Sequence, residues 1–305
     1  MRQQDWQKAQ SSLDEYLKKN PRDGEAHLLL AEVFGELDSI QAMRRTLTTL
    51  RQISPKYENS AVFLLKKYWT KNFNRGLKLF QLKNYRQAAN QFGLAVQIDK
   101  SQFIGLQKLA DALFMAGRYY EAQTAYQQAL NMQPDNLILK NNLAEIYFIK
   151  KQYQKSVNLC NEILNKHELE INALMRRAYA YDALKNYSEA VKDFERLIEL
   201  SPTPKLLTDF GMLHFRQQEY HKAIDYFTAA LADSSNNYLL YRYLGEANWR
   251  VRNYQDMVTW YRKIVESSPD DLLGWKNLAL AYEALGKKQL LVEARNHIDK
   301  ITRTN

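Results

Sequence analysis

A phrase of 34 residues recurs along this chain, and it constrains the fold more than any other feature. It is clearest from Phe103 to Asn136, FIGLQKLADALFMAGRYYEAQTAYQQALNMQPDN. Two runs with apolar residues at helical spacing are joined by a short turn and closed by a proline, which predicts two amphipathic helices, A and B. With Phe103 as position 1, position 8 along the chain is Ala31, Gly76, Ala110, Ala144, Ala178, Gly211, Gly245 and Ala279. Position 17 is Tyr85, Tyr119, Tyr153, Tyr187, Tyr220 and Tyr254, and position 24 is Leu47, Phe92, Tyr126, Cys160, Phe194, Phe227 and Tyr261. Position 32 is Pro55, Pro134, Pro202 and Pro269, with Lys100, Glu168 and Ser235 as exceptions. Small residues at 8 and 20 are expected to face each other where A crosses B, and large ones at 17, 24 and 27 to fill the surrounding space. A bulky residue at 8 would overpack that crossing, at roughly 1–3 kcal/mol. Proline at 32 stops helix B because it cannot donate to the helix ladder.

This pattern resembles the tetratricopeptide repeat, a 34-residue helix–turn–helix unit. The resemblance covers nearly the whole chain. It implies an all-α fold, a right-handed superhelical solenoid with A helices on the concave face and B helices on the convex face. The domain reading is one array over residues 1–305. It opens with a half repeat over 1–22, helix B only, and a repeat over 24–56. A helical extension follows over 57–68. Repeats then cover 69–102, 103–136, 137–170, 171–203, 204–237 and 238–271, and a C-terminal repeat or cap covers 272–305.

The departures from period 34 carry their own expectations. About eleven residues are added before Trp69, close to three helical turns. Val62, Leu65, Trp69, Phe73, Gly76 and Phe80 then share one face, which predicts a long helix from Ala61 to Leu82, with a break near Lys71 as the alternative. The step from Ile171 to Pro204 is one residue short and should tighten Ser201–Pro204. Lys288 and Arg295 at positions 17 and 24 of the last unit suggest a solvated capping face. The leading half repeat has no polar partner on its N-terminal side, so the native chain is expected to extend upstream of Met1.

No stretch has the length and apolar character of a membrane span, and MRQQDWQKAQSSLDEYLKKN has no apolar signal segment. Cys160 is the single cysteine, which excludes an intramolecular disulfide and a cysteine-based zinc site. The compartment stays open between cytoplasmic and periplasmic or envelope-attached. Among His27, His167, His214, His221 and His297 no pair has metal-ligand spacing beside carboxylates. His214 occupies a large inward position and Cys160 a core slot. No glycine-rich phosphate loop is present. The expectation is therefore no enzyme, no metal and no cofactor.

Function is then expected from surfaces. In the family, A-helix positions 2, 5, 6, 9, 12 and 13 look into the concave groove, where ligands are peptides or helices. The expected groove comprises an aromatic ladder at position 12, Phe80, Phe114, Phe148, Phe215 and Trp249. Polar residues stand beside it: Gln107, Asp111, Asn141, Glu145, Arg176, Arg242 and Glu246. The family's carboxylate-gripping Lys and Asn pattern is absent. Net charge is +9. Lys56–Arg86 alone carries +7, and Lys67, Lys71, Arg75 and Lys78 fall on one stripe of the predicted long helix.

Three readings follow. The first is a protein-interaction scaffold holding a peptide or helical segment of an unidentified partner. The second is a module that self-associates or docks in a larger assembly, including one of the bacterial cell envelope. The third is a basic stripe for nucleic acid or a membrane surface, with nucleic acid disfavoured for want of a supporting motif.

Overall fold

A computed structural model describes residues 3–231 and 237–304, so Ser235 and the expectation about Met1 lie outside the described residues. Among the described residues there are seventeen α-helices, one 3-10 turn and no strand. The chain forms two compact units, Met1–Lys151 and Gln152–Asn305. The first holds α1 (Gln3–Lys19), α2 (Gly24–Glu36), α3 (Ile40–Ile53), α4 (Glu58–Gln81), α5 (Tyr85–Ile98), α6 (Phe103–Met115), α7 (Tyr119–Met132) and α8 (Leu137–Ile149). The second holds α9 (Tyr153–Leu164), α10 (Ile171–Ala183), α11 (Tyr187–Leu200), α12 (Pro204–Arg216), α13 (Tyr220–Leu231), α14 (Tyr238–Arg250), α15 (Tyr254–Ser267), α16 (Leu272–Ala284) and α17 (Lys288–Thr304).

Local chemistry sets where these helices start and stop. Six of the A helices begin at position 1 because the residue before it caps them. Asp23, Asn136, Glu170, Thr203, Asn237 and Asp271 each accept a hydrogen bond from a first-turn backbone N–H. The A-to-B turn closes on one left-handed residue at position 15: Asp38, Lys83, Gly117, Lys151, Lys185, Gln218, Arg252 and Gly286. At Lys83 the motif is complete. Lys83 N donates to Phe80 O and Asn84 N to Leu79 O, both at 2.9 Å, which satisfies two carbonyls at the end of α4. Helix B starts two residues later, on the position-17 tyrosine in α5, α7, α9, α11, α13 and α15.

The partner of position 8 is the ring at position 24, not the small residue at 20. A Cβ on Gly76 would lie 2.6 Å from the Phe92 ring, on Gly211 2.6 Å from Phe227, and on Gly245 2.5 Å from Tyr261. Small residues at 20 are buried as well, Ala88, Ala122, Ala190 and Ala223 among them. The buried residues fall into clusters, one of which joins the first repeat to α4 through Ala31, Leu47 and Tyr68.

α4 is one uninterrupted helix of 24 residues, so the added segment continues the helix with no break at Lys71. Its first turns pack on the first repeat, where Ala61, Leu64 and Tyr68 are buried among Ala31, Leu47 and Leu50. Its last turns pair with α5 through Gly76 and Phe92. At the C-terminal end Lys288 and Arg295 are exposed and Ala294 and Ile301 hold α17 down. With Arg295 in place of a ring, Ala279 at position 8 is only partly buried. In α1 only Leu17 is buried, against Ala26 and Leu30, while Trp6, Ala9 and Leu13 are half-buried.

Candidate protein-interaction surface

The aromatic ladder is packed within its own repeats. The ring of Phe80 lies edge-on to Tyr85 at 5.1 Å, Phe114 to Tyr119 at 5.7 Å and Phe215 to Tyr220 at 5.2 Å. Positions 12 and 17 flank the A-to-B turn, so these pairs clamp it. Phe148 is half-buried, and Trp249 is the ladder's exposed member, with the Arg250 guanidinium over its ring.

Two of the polar groove residues, Asp111 and Arg242, tie one helix to the next. In the first unit Asp111 accepts from the Tyr126 hydroxyl at 2.7 Å, and that hydroxyl accepts from Asn142 Nδ2 at 3.1 Å, linking α6, α7 and α8. Burial, with the Asp111 charge beside it, pushes the Tyr126 phenol up. In the second unit Arg242 donates to Asp271 at 2.9 Å, and Tyr238 also donates to Asp271. Burial pushes the Asp271 carboxyl up, but bonds from Tyr238, Gly274 N–H and Arg242 outweigh it and hold the acid below its usual range. Glu246 pairs with Arg250 on its own helix. Arg176 is half-buried, and burial lowers its guanidinium. Glu145 is half-buried too.

The predicted basic stripe is largely neutralised inside the molecule. Lys67 pairs with Glu32 and Lys71 with Glu36, both at 2.6 Å, and Arg75 with Asp38 at 3.6 Å. The long α4 lies along α2, and its cations meet two carboxylates of that helix and Asp38 in the turn after it. Lys78 is exposed.

Two groove residues remain open. Gln107 and Asn141 are half-buried and make no side-chain hydrogen bond among the described residues. Three residues before each, on the same helix face, stands an aliphatic residue with its side chain in solvent: Ile104, 39% exposed, and Ile138, 61% exposed. Met115 and Ile149, at the far ends of the same two helices, are exposed as well. In the second unit the corresponding position 2 carries Leu239 and Leu273, 52% and 49% exposed. Sequence reasoning missed these four residues because it weighed the larger aromatics at position 12. An aliphatic side chain at position 2, repeated 34 residues apart, was the available signal. The added turns of α4 also overhang a cleft of about 560 Å³ lined by Val62, Leu65, Trp69 and Ile98.

Neither of the two residues considered for chemistry is accessible. His214 is buried, stacked on Tyr226 and bonded through Nδ1 to Glu219 at 2.6 Å. Cys160 is fully buried, and burial pushes its thiol up to about 12. Among the described residues no group of three or more His, Cys, Asp or Glu has the arrangement of a metal site, and no helix is long and apolar enough to cross a membrane.

Comparison with known proteins agrees with this architecture. A family model described as tetratricopeptide repeat matches residues 1–39, 108–169 and 208–272, and a second with that description matches 171–204. RNA polymerase II-associated protein 3 of Homo sapiens is 31% identical over 107 residues, which is 35% of this chain and 16% of that protein. This chain therefore matches about one-sixth of that relative's length. Among solved structures, the C-terminal part of a TPR repeat-containing protein from Cytophaga hutchinsonii superposes with a TM-score of 0.67 at 18% identity, covering 76% of this chain and 96% of that one. YrrB, described as a TPR protein with an unusual peptide-binding site, superposes with a TM-score of 0.51 at 15% identity, covering 58% of this chain and 92% of its own.

Proposed function

Since the chain belongs to the tetratricopeptide repeat family, we propose that it is a non-enzymatic scaffold that holds a peptide or helical segment of a partner protein against its A helices. The carrying observation is the duplicated pair Ile104–Gln107 on α6 and Ile138–Asn141 on α8. An aliphatic side chain in water beside an amide with free donor and acceptor capacity is what a bound backbone needs: apolar area to cover and hydrogen bonds to replace those with water. Repetition on consecutive A helices offers this twice at one repeat spacing. In the second unit Leu239 and Leu273 supply exposed apolar area at the same position 2, and Trp249 adds more at position 12.

The proposed contacts are thus Gln107 and Asn141 with the position-2 aliphatics. Phe80, Phe114 and Phe215 shape the wall through their tyrosine partners. The test is site-specific photo-crosslinking from Ile138, with Thr124 on α7 as the control position, followed by identification of the captured chain. Ile104→Asp with Asn141→Ala should abolish capture from position 138 at unchanged helicity. Capture that survives this double variant, or that is equal from Thr124, would sink the reading.

A further inference from the structure

The excess positive charge is concentrated in the first unit. Residues 1–151 hold 22 basic and 14 acidic residues, whereas 152–305 hold 21 and 20. The pairing of the α4 stripe with α2 does not account for this excess, because α3 and α5 contain no Asp or Glu at all. These two B helices contact each other, and between them opens a cleft of about 590 Å³. Arg44 and Arg45 of α3 and Lys100, just past the end of α5, line it together with Thr48, Thr49 and Gln97. No carboxylate lines it.

Arg44 is anchored, its Nη1 donating to Gln97 O at 2.7 Å at the C-terminus of α5. Arg45 and Lys100 have no partner among the described residues, and both are exposed. The nearest acid along the chain, Asp99, does not line the cleft; its carboxylate is bonded within its own turn and feels the charge of the anchored Arg44. It accepts from Ser101 N and Oγ and from Gln102 Nε2. Lys100 stands at position 32, where other repeats carry the helix-stopping proline, and all three cations lie between the matched segments ending at 39 and starting at 108.

We propose that this cleft, on the B-helix side of the first unit, docks an acidic segment of a partner protein. Arg45 and Lys100, unpartnered among the described residues and set beside the anchored Arg44, form an anion site, since each gains energy when a carboxylate enters. The two threonine hydroxyls and the glutamine amide add neutral hydrogen-bonding groups suited to carboxylates and peptide backbone. The lining contains no aromatic ring on which a nucleobase would stack. It also contains no large apolar side chain to enter a bilayer. The site is separate from the A-helix surface and stands or falls without it.

The test is fluorescence anisotropy of the full chain with a fluorescein-labelled octaglutamate peptide. Binding should be saturable and weaken as salt rises. Arg45→Glu with Lys100→Glu should weaken it about tenfold or more, from reversal of two charges that each contribute weakly alone. Arg45→Gln with Lys100→Gln should fall between. Lys18→Glu with Lys205→Glu makes the same change in net charge elsewhere and should leave affinity within about twofold, as expected for distant sites. Ile138→Asp should also leave it unchanged, which separates this site from the A-helix surface. No binding by octaglutamate, or equal loss in the Lys18/Lys205 control, overturns the proposal. So does tighter binding of oligodeoxythymidine or phosphatidylserine vesicles through Arg45 and Lys100, which would reassign the cleft to nucleic acid or membrane.

Discussion

The ring of Tyr68 lies so close to Gly35 that a Cβ on that glycine would sit 2.3 Å from it. Gly35 stands at position 12 of the first full repeat, where five other repeats carry Phe or Trp. The missing side chain is replaced by a ring from the added turns of α4, fully buried and donating its hydroxyl to Glu32 O at 2.9 Å and to Glu36 at 3.0 Å. Gly35→Ala is therefore expected to lower stability by about 1–3 kcal/mol through overpacking. Gly93 on α5 offers the contrast, with its nearest heavy atom at 3.9 Å. Gly93→Ala should raise stability by about 0.5–1 kcal/mol from helix propensity. Thermal midpoints of the two variants should move in opposite directions; equal shifts would contradict the seating of Tyr68.

The left-handed turn residue makes a second contrast. Gly117 has φ +75° and open space around it, so Gly117→Ala meets no clash but should lower stability by about 1–2 kcal/mol through backbone strain alone. Lys83 holds φ 58° with a side chain, and Lys83→Gly should raise stability by up to about 1 kcal/mol. Denaturant midpoints of these two single variants are sufficient to check the signs.

Arg177 and Asp193 form a largely buried ion pair. Arg177 Nε and Nη2 donate to Asp193 at 2.8 and 2.6 Å, while its Nη1 donates to Asn161 at 2.7 Å, tying α9, α10 and α11 together. Removing one partner leaves a buried charge, so Asp193→Ala should cost about 3–5 kcal/mol. Arg177→Met combined with Asp193→Leu should recover most of that loss. A double variant as unstable as the single one would show that the pair does more than satisfy itself.

Glu36 sets an acid limit on the α2–α4 contact. Burial pushes its carboxyl up, but hydrogen bonds from Lys71 and Tyr68 outweigh this and hold it below the usual glutamate value of 4.5. A group lowered on folding contributes stability that is complete above that value and is lost as pH falls through the folded one. Wild type and Glu36→Gln should thus differ most near neutrality and converge below pH about 4.5. A stability gap that stays constant down to pH 3 would rule out this ionisation as the cause.

Cys160 should be silent to thiol reagents in the native state. It is fully buried, and its thiol is pushed up to about 12, so almost no thiolate exists at neutral pH. Ellman's reagent should react with it only as fast as the second unit opens, and the rate should rise together with denaturant.

The legible part of this protein was everything governed by local periodicity. Position 1, the position-17 tyrosine and the position-15 turn mark helix boundaries because caps, left-handed residues and apolar spacing act over four or five residues. The eleven added residues could be read as helix for the same reason, since three whole turns keep Val62, Leu65 and Trp69 on one face. What the sequence could not decide was which side chains are already spoken for. Lys67 and Glu32 are 35 residues apart, as are Lys71 and Glu36, and only the packing of α4 along α2 turns a basic stripe into a row of ion pairs. Asp111 and Arg242 look free in the sequence and are consumed by Tyr126 and Asp271. Ile104 and Ile138 stand at a groove-facing position, and only the packing shows that their side chains remain in water. Arg45 and Lys100, 55 residues apart, meet only because α3 and α5 pack side by side. Helix formation is a short-range property that a repeat writes out many times. Availability depends on long-range packing, and the tertiary structure alone determined which of this chain's groups are left to bind a partner.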